Sequence, residues 1–229
     1  MAKPLASQPA PTNPSRLTPS QVIDCASRIA DAEGIDAVTL TRVANELHVR
    51  QPALYRHIDG IEALWKALAL RARELLVAQL TQSAIGRSGE DAVRAVATAW
   101  RQFVHDHPGL YTATDRVAVA GDRELEASID RVVGVLALVL GSYALGPAPA
   151  VHAARSLRSA LHGFVVLEKD HGHPEPFGLD ESFEHLVTLL VAGVQAIADQ
   201  SQSAARQAKV AISRDDVRVA SPTGAAAPR

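Results

Sequence analysis

The side chains best equipped to touch another molecule crowd into one stretch, residues 39–57. Thr39, Thr41, Arg42, Arg50, Gln51, Tyr55, Arg56 and His57 supply hydroxyl, guanidinium, amide and imidazole groups there, and Pro52 and Ala53 add small apolar surface. Arg and Gln can reach base edges in a DNA groove. Pro and Ala can meet a thymine methyl, and Tyr, Arg and His can bond phosphate oxygens. Residues 40–58 hold three arginines against Glu46, a net of +2, whereas the whole chain carries −2. A local basic face on an acidic body suits docking at a chosen site, and it argues against a protein that coats nucleic acid.

Such side chains need a frame. Leu40, Val43, Ala44 and Leu47 repeat at helical spacing and give a short helix one apolar face. Val49, Leu54 and Ile58 do the same across a turn that holds His48 and Val49. Ala44 is small enough to sit where two helices cross. Pro52 is tolerated only in the first turn of a helix, where its missing N–H costs nothing, so the second helix starts near Arg50 or Gln51. The pattern is a helix-turn-helix, whose second helix fits the major groove while the first braces it across the backbone.

The string VRQPALYRHIDGIEAL resembles the DNA-binding signature of TetR-type transcriptional regulators. Val49, Gln51, Pro52, Ala53, Leu54, Tyr55, His57, Gly60, Glu62, Ala63 and Leu64 carry the resemblance. It implies base contacts from Arg42 and Gln51 and a backbone contact from Tyr55. Two positions depart from the family pattern. His48 stands where Gly is usual, so a left-handed backbone there would be strained. Ile61 stands where Lys is usual; either a phosphate contact is missing or Ile61 belongs to the core.

A second, shorter set resembles a class of TetR-type effector domains marked by Trp-His-Gly. Its carriers are Phe103, His107-Pro108-Gly109-Leu110-Tyr111, Leu161-His162-Gly163-Phe164 and Glu181-Ser182-Phe183-Glu184, with Leu161 in place of Trp. The resemblance implies a ligand pocket inside the C-terminal helices. Trp100, Phe103, Val104, Tyr111, Leu136, His162 and Val166 are its candidates, since they join apolar walls to a few polar tips. Ordinary core packing is the alternative for each.

The rest of the chain is helical in pattern. Thr18, Pro19 and Gln21 form a capping box for a first helix that Gly34 ends. Thr39 caps the next helix. Leu64, Leu68, Leu75 and Leu76 carry a long helix onward to Gly86 and Gly89. Further helices are expected over 92–106, 110–119, 124–145, 151–169 and 180–200. Four prolines among Ala, Ser, Gln and Thr make 1–15 a disordered arm. The polar, small-residue stretch 201–229 reads as a disordered tail. Between them lie a DNA-binding domain, 16–66, and an effector-binding and dimerisation domain, 67–200.

Residues 186–198, LVTLLVAGVQAIA, are apolar all round, and such a helix must be covered on every side. Its own domain covers one face, and the same helix pair of a second subunit covers the other. Leu157, Leu161, Phe164, Leu186, Leu190, Val191 and Val194 are the expected interface, with Ala154, Gly163 and Gly193 permitting close approach. A buried helix in a monomer is the alternative.

Other chemistries lack their residues. Nine histidines include the pairs His105/His107 and His171/His173, but a spacing of two places the rings on different helix faces and no Cys or carboxylate set completes a metal site. No Gly-x-Ser-x-Gly elbow or phosphate-binding glycine loop occurs, so no enzyme, metal or cofactor is expected. Cys25 is the single cysteine and lies on an apolar face, as a buried small hydrophobe or, less simply, a redox switch. No apolar run reaches membrane length and Met1–Ser20 lacks an apolar signal core, so a cytoplasmic location is expected. The expectation is an all-α homodimer that binds a palindromic operator and acts as a repressor released by a small molecule. A helical ligand-binding or scaffold protein with a degenerate DNA unit is the second reading.

Overall fold

The computed structural model of the chain describes residues 17–219. They form nine α-helices with two short 3-10 turns and no strand, so the fold is all-α. The expected arm, 1–15, and the last ten residues of the expected tail lie outside the described residues.

Helix boundaries follow local chemistry. α1 (Pro19–Glu33) opens on the capping box: Gln21 N–H donates to Thr18 Oγ1 at 3.3 Å, and Gln21 Oε1 accepts from Thr18 N–H at 3.0 Å. Gly34, at φ 88°, ends it. Thr39 Oγ1 accepts the Arg42 N–H at 3.1 Å and starts α2 (Leu40–Glu46). α3 (Gln51–Leu54) has Pro52 in its first turn, where no N–H is needed. α4 (Gly60–Ala84) runs unbroken for 25 residues. Then come α5 (Gly89–Asp106), α6 (Pro108–Arg116) and α7 (Arg123–Val139), the last running into a 3-10 turn over 140–143. α8 (Pro147–Lys169) begins four residues before the expected start because Gly146 caps it and Pro147 opens it.

α9 (Leu179–Val219) corrects the expected tail, since the helix continues through 201–219. Polar, small residues suggest a tail, but they do not by themselves break a helix. This stretch holds four Ala and three Arg beside Gln202, Gln207 and Lys209, which favour helix, and no Gly or Pro interrupts it before Pro222.

The chain divides into two compact units. Among the described residues, the first unit takes those up to Gln79 together with Arg101–Val132, and the second takes Leu80–Trp100 and everything from Val133. The boundary expected at 66/67 is therefore not where contacts divide. α4 has no breaker there, and its stripe Leu64, Leu68, Ala72 and Leu76 is buried without a gap.

In the first unit, α1 packs against α6. Val22, Cys25, Ala26, Ile29 and Ala30 of α1 share a core with Val43 and Ala44 of α2, Leu54 of α3, Leu64, Leu68 and Ala72 of α4, and Leu110 and Ala113 of α6. Gly109 permits the approach: a Cβ on it would lie 1.7 Å from the Ala30 carbonyl oxygen. Asp31 fixes the same junction, accepting the Leu110 N–H at 2.7 Å while its other oxygen lies 3.0 Å from His107 Nδ1. Arg73, buried on α4, donates to the Thr114 carbonyl at 2.8 Å and to Ser128 Oγ at 3.3 Å, so its charge is well supplied with acceptors. Cys25 is wholly buried, and burial pushes its thiol up from the ordinary range. That environment suits a small hydrophobe and not a redox switch, which needs an accessible thiolate.

In the second unit, α8 packs on α9 through Ala154, Leu157, Leu161 and Val165 of one and Phe183, Val187, Val194 and Ala198 of the other. The Phe164 ring stands 5.2 Å from both the His173 and Phe183 rings. Arg94 of α5 ties onto α9, donating to Thr188 Oγ1 at 3.1 Å and pairing with Glu184 at 3.3 Å. Among the described residues, no helix is long and apolar enough to cross a membrane.

Candidate nucleic-acid interface

The two short helices of the first unit are built to hold one row of side chains outward. Leu54 is wholly buried, and Leu47, Val49 and Ile58 pack around the same core, so α3 cannot roll. The turn between α2 and α3 closes with the Val49 N–H on the Ala44 carbonyl at 3.0 Å and the His48 N–H on the Asn45 carbonyl at 3.1 Å. His48 takes φ 55°, the left-handed conformation expected where the family keeps Gly.

Part of the expected set remains outside. Arg50, at the N-cap position of α3, is exposed, as are Pro52 and Arg56, and Tyr55 is 53 % exposed at the C-terminal end. Gln51, Ala53 and His57 are half-buried. Thr41 is exposed on α2 and donates to Gln51 Oε1 at 3.2 Å, which fixes the amide across the two helices. Thr39 is committed to its own helix as the cap.

Arg42 carries a feature that residue spacing had not brought out. Its Nη2 lies 2.6 Å from Glu33 Oε1, its Nε donates to Glu33 Oε2 at 3.4 Å, and its Nη1 lies 2.7 Å from Glu46 Oε2. Hydrogen bonds to Glu33 and then Glu46 hold the guanidinium above its ordinary pKa range, and the bond from Arg42 holds the Glu46 carboxyl below its own. The Glu46 contact was readable as an i, i+4 pair. The Glu33 contact was not, because it crosses a connection between helices.

Ile61, where the family has Lys, is half-buried and packs against the first unit's core. Of the two roles it could have had, the structure gives it packing. Among the candidate pocket residues, Phe103, Val104 and Tyr111 are buried in the first unit, with Phe103 5.1 Å from the His107 ring and 6.3 Å from the Tyr111 ring. Trp100 and Leu136 are buried in the second unit, where His162 and Val166 are half-buried. A cleft of about 550 Å³ within the second unit has other walls: Glu90, Arg94, Ser142, Tyr143, Thr188 and Val191 among them. The Tyr143 hydroxyl there is buried with no hydrogen-bond partner among the described residues.

Among the expected interface residues, Leu157, Leu161 and Val194 are buried within the protomer. They serve its own core, because α8 and α9 pack on each other first. Phe164, Leu186, Leu190 and Val191 are half-buried, and Leu189, not among those expected, is 70 % exposed.

Comparison with known proteins agrees with this architecture. Residues 93–190 match the family described as tetracyclin repressor-like, C-terminal domain. The chain is 34 % identical over 183 residues to an uncharacterised HTH-type transcriptional regulator of Mycobacterium tuberculosis, covering 80 % of this chain and 84 % of that one. It is 33 % identical over 180 residues to the uncharacterised HTH-type regulator YobS of Bacillus subtilis, covering 78 % and 93 %. In fold it is similar to a TetR variant from Acinetobacter baumannii AYE solved in complex with minocycline, with a TM-score of 0.62 at 24 % identity over 80 % of this chain and 99 % of that one. With the helix-turn-helix at its N-terminal end and the tetracyclin repressor-like helices behind it, the chain belongs to the TetR-type family and is a DNA-binding transcriptional regulator.

Proposed function

We propose that the protein binds a palindromic operator as a homodimer, with α3 of each protomer in the major groove, and that it represses until a small molecule releases it. The observation that carries this reading is the outward row Arg50, Gln51, Pro52, Tyr55 and Arg56 over a closed core that pins Leu54 beneath it. Arg42 and Gln51 read base edges and Tyr55 holds the backbone. The ligand shifts the equilibrium toward a spacing of the two α3 helices that no longer matches successive major grooves. Binding of minocycline by the similar A. baumannii protein supports a small-molecule effector, as does the cleft beside Tyr143.

Selection from random duplex DNA tests the reading. The chain should enrich a palindrome. Arg42→Ala or Gln51→Ala should weaken binding roughly five- to a hundredfold and relax the preference at one base pair in each half-site. Tyr55→Phe should weaken all sequences alike. Arg42→Ala and Gln51→Ala variants that keep both affinity and preference would overturn the docking.

A further inference from the structure

Glu33 and Glu46 occupy places that a helix disfavours for a carboxylate. Each is the last residue of its helix, α1 and α2, where the carbonyl ends already present negative charge. Neither helix has a basic residue in its last turn to offset this. Among the described residues Arg42 hydrogen-bonds both carboxylates, Glu33 through Nε and Nη2 and Glu46 through Nη1, while Arg28 and His48 act on Glu46 only through space. The order of the Arg42–Glu46 pair, with the cation nearer the N-terminus, is also the weaker one for i, i+4 contacts. Local helix stability therefore does not account for two acids here, whereas what they do to Arg42 does.

We propose that Glu33 and Glu46 are specificity-determining residues that occupy Arg42 until a matching base edge displaces them. The inference rests on the DNA-docking reading above, in which Arg42 faces a base. A free guanidinium binds any phosphate, so an uncovered Arg42 would add to affinity for every sequence alike. Held by two carboxylates, it adds nothing at a random site, and the trio presents a net negative charge to the backbone. The side chains are 36 %, 42 % and 37 % exposed for Arg42, Glu33 and Glu46, so the pairs are solvated and weak enough to open. A guanine offering O6 and N7 together gives the guanidinium a bidentate partner, the commonest specific contact. A phosphate can also pair with both arms of a guanidinium, but it is an anion that the displaced carboxylates repel, whereas guanine is neutral. The carboxylates thereby act against the wrong sites more than against the right one, which is how specificity is gained by a repulsive element.

The experiment uses the full chain with the selected operator and a scrambled duplex of equal length, each measured by fluorescence anisotropy across a salt series. Glu33→Gln, Glu46→Gln and the double variant keep side-chain shape while removing charge. The double variant should bind the scrambled duplex roughly tenfold tighter, with a salt slope steeper by about 0.9 per protomer. Its affinity for the operator should rise less, so the ratio of the two falls. In an Arg42→Ala background the same substitutions should only relieve carboxylate repulsion, raising affinity for both duplexes alike and leaving their ratio unchanged. An unaltered ratio, or equal losses on both duplexes, would overturn the proposal and make the acids mere props for Arg42. Melting curves show whether each variant folds; if the double variant does not, Glu46→Gln alone carries the same expectation at a smaller size. If the wild type selects an operator and the ratio fails to move, only this inference falls. If neither form binds any duplex, the docking reading falls with it.

Discussion

His48 shows how one residue can be set by a turn and not by its own preference. The chain must reverse between α2 and α3 within a very short connection, and φ 55° at His48 does it. An L-residue in that conformation is strained by roughly 1–2 kcal/mol, and glycine is not. The side chain is exposed, so little is lost by removing it. His48→Gly should raise stability by roughly 0.5–1 kcal/mol once the greater freedom of glycine in the unfolded chain is allowed for. Urea unfolding measures this, and a lower midpoint would mean that the imidazole contributes more than the backbone conformation costs. The left-handed turn was legible because the motif demands it at a fixed offset. The ion pairs of Arg42 were legible only in part, since Glu33 comes from α1, across a connection whose path no periodicity reveals.

At the scale of elements, the contact that organises the first unit is α1 on α6. His107-Pro108-Gly109 lies between the helices expected over 92–106 and 110–119, and the structure gives each of its residues a further task. His107 faces Asp31, Pro108 opens α6, and Gly109 lets α6 lie against the Ala30 carbonyl. Hydrophobic spacing shows which face of a helix is apolar but not which helix it meets, and so the pairing of α6 with α1 was out of reach. The same limit explains why the compact units divide elsewhere than at the expected 66/67 boundary. A long uninterrupted helix such as α4 looks like a strut in sequence, and only contacts show where one unit yields to the next. Gly109→Ala tests the close approach. A methyl there would press on backbone, which cannot rotate away, so the variant should lose roughly 1–3 kcal/mol despite the better helix propensity of alanine. Gly134→Ala is the control: it lies within α7 with no atom near an added Cβ, and it should be neutral or stabilising by up to about 1 kcal/mol. Equal stability of the two variants by thermal unfolding would refute the tight α1–α6 junction.

For the whole molecule, the question is what covers the apolar surface left on α9. Sequence pattern marked 186–198 as apolar on every side, and that holds, but it could not divide the helix between its own protomer and a second one. The structure shows which of these residues the protomer itself buries. Val187 and Val194 face inward at 2 % and 4 % exposure, while Leu189 is 70 % exposed and Leu186, Leu190 and Val191 flank it half-buried. A charge at Val194 is therefore a poor probe of assembly, since it buries an ion in the protomer and unfolds it. Leu189→Glu is the sharper one. If two protomers meet along this face about a two-fold axis, each Leu189 is covered in the dimer, and a glutamate there should give a folded monomer. Multi-angle light scattering should show the mass halved, with helical circular dichroism retained. The melting temperature of the wild type should rise with protein concentration and that of the variant should not. Leu138→Glu, at a residue 81 % exposed on α7, should leave the mass unchanged. A Leu189→Glu protein that keeps the wild-type mass would place the partner on another face of the chain.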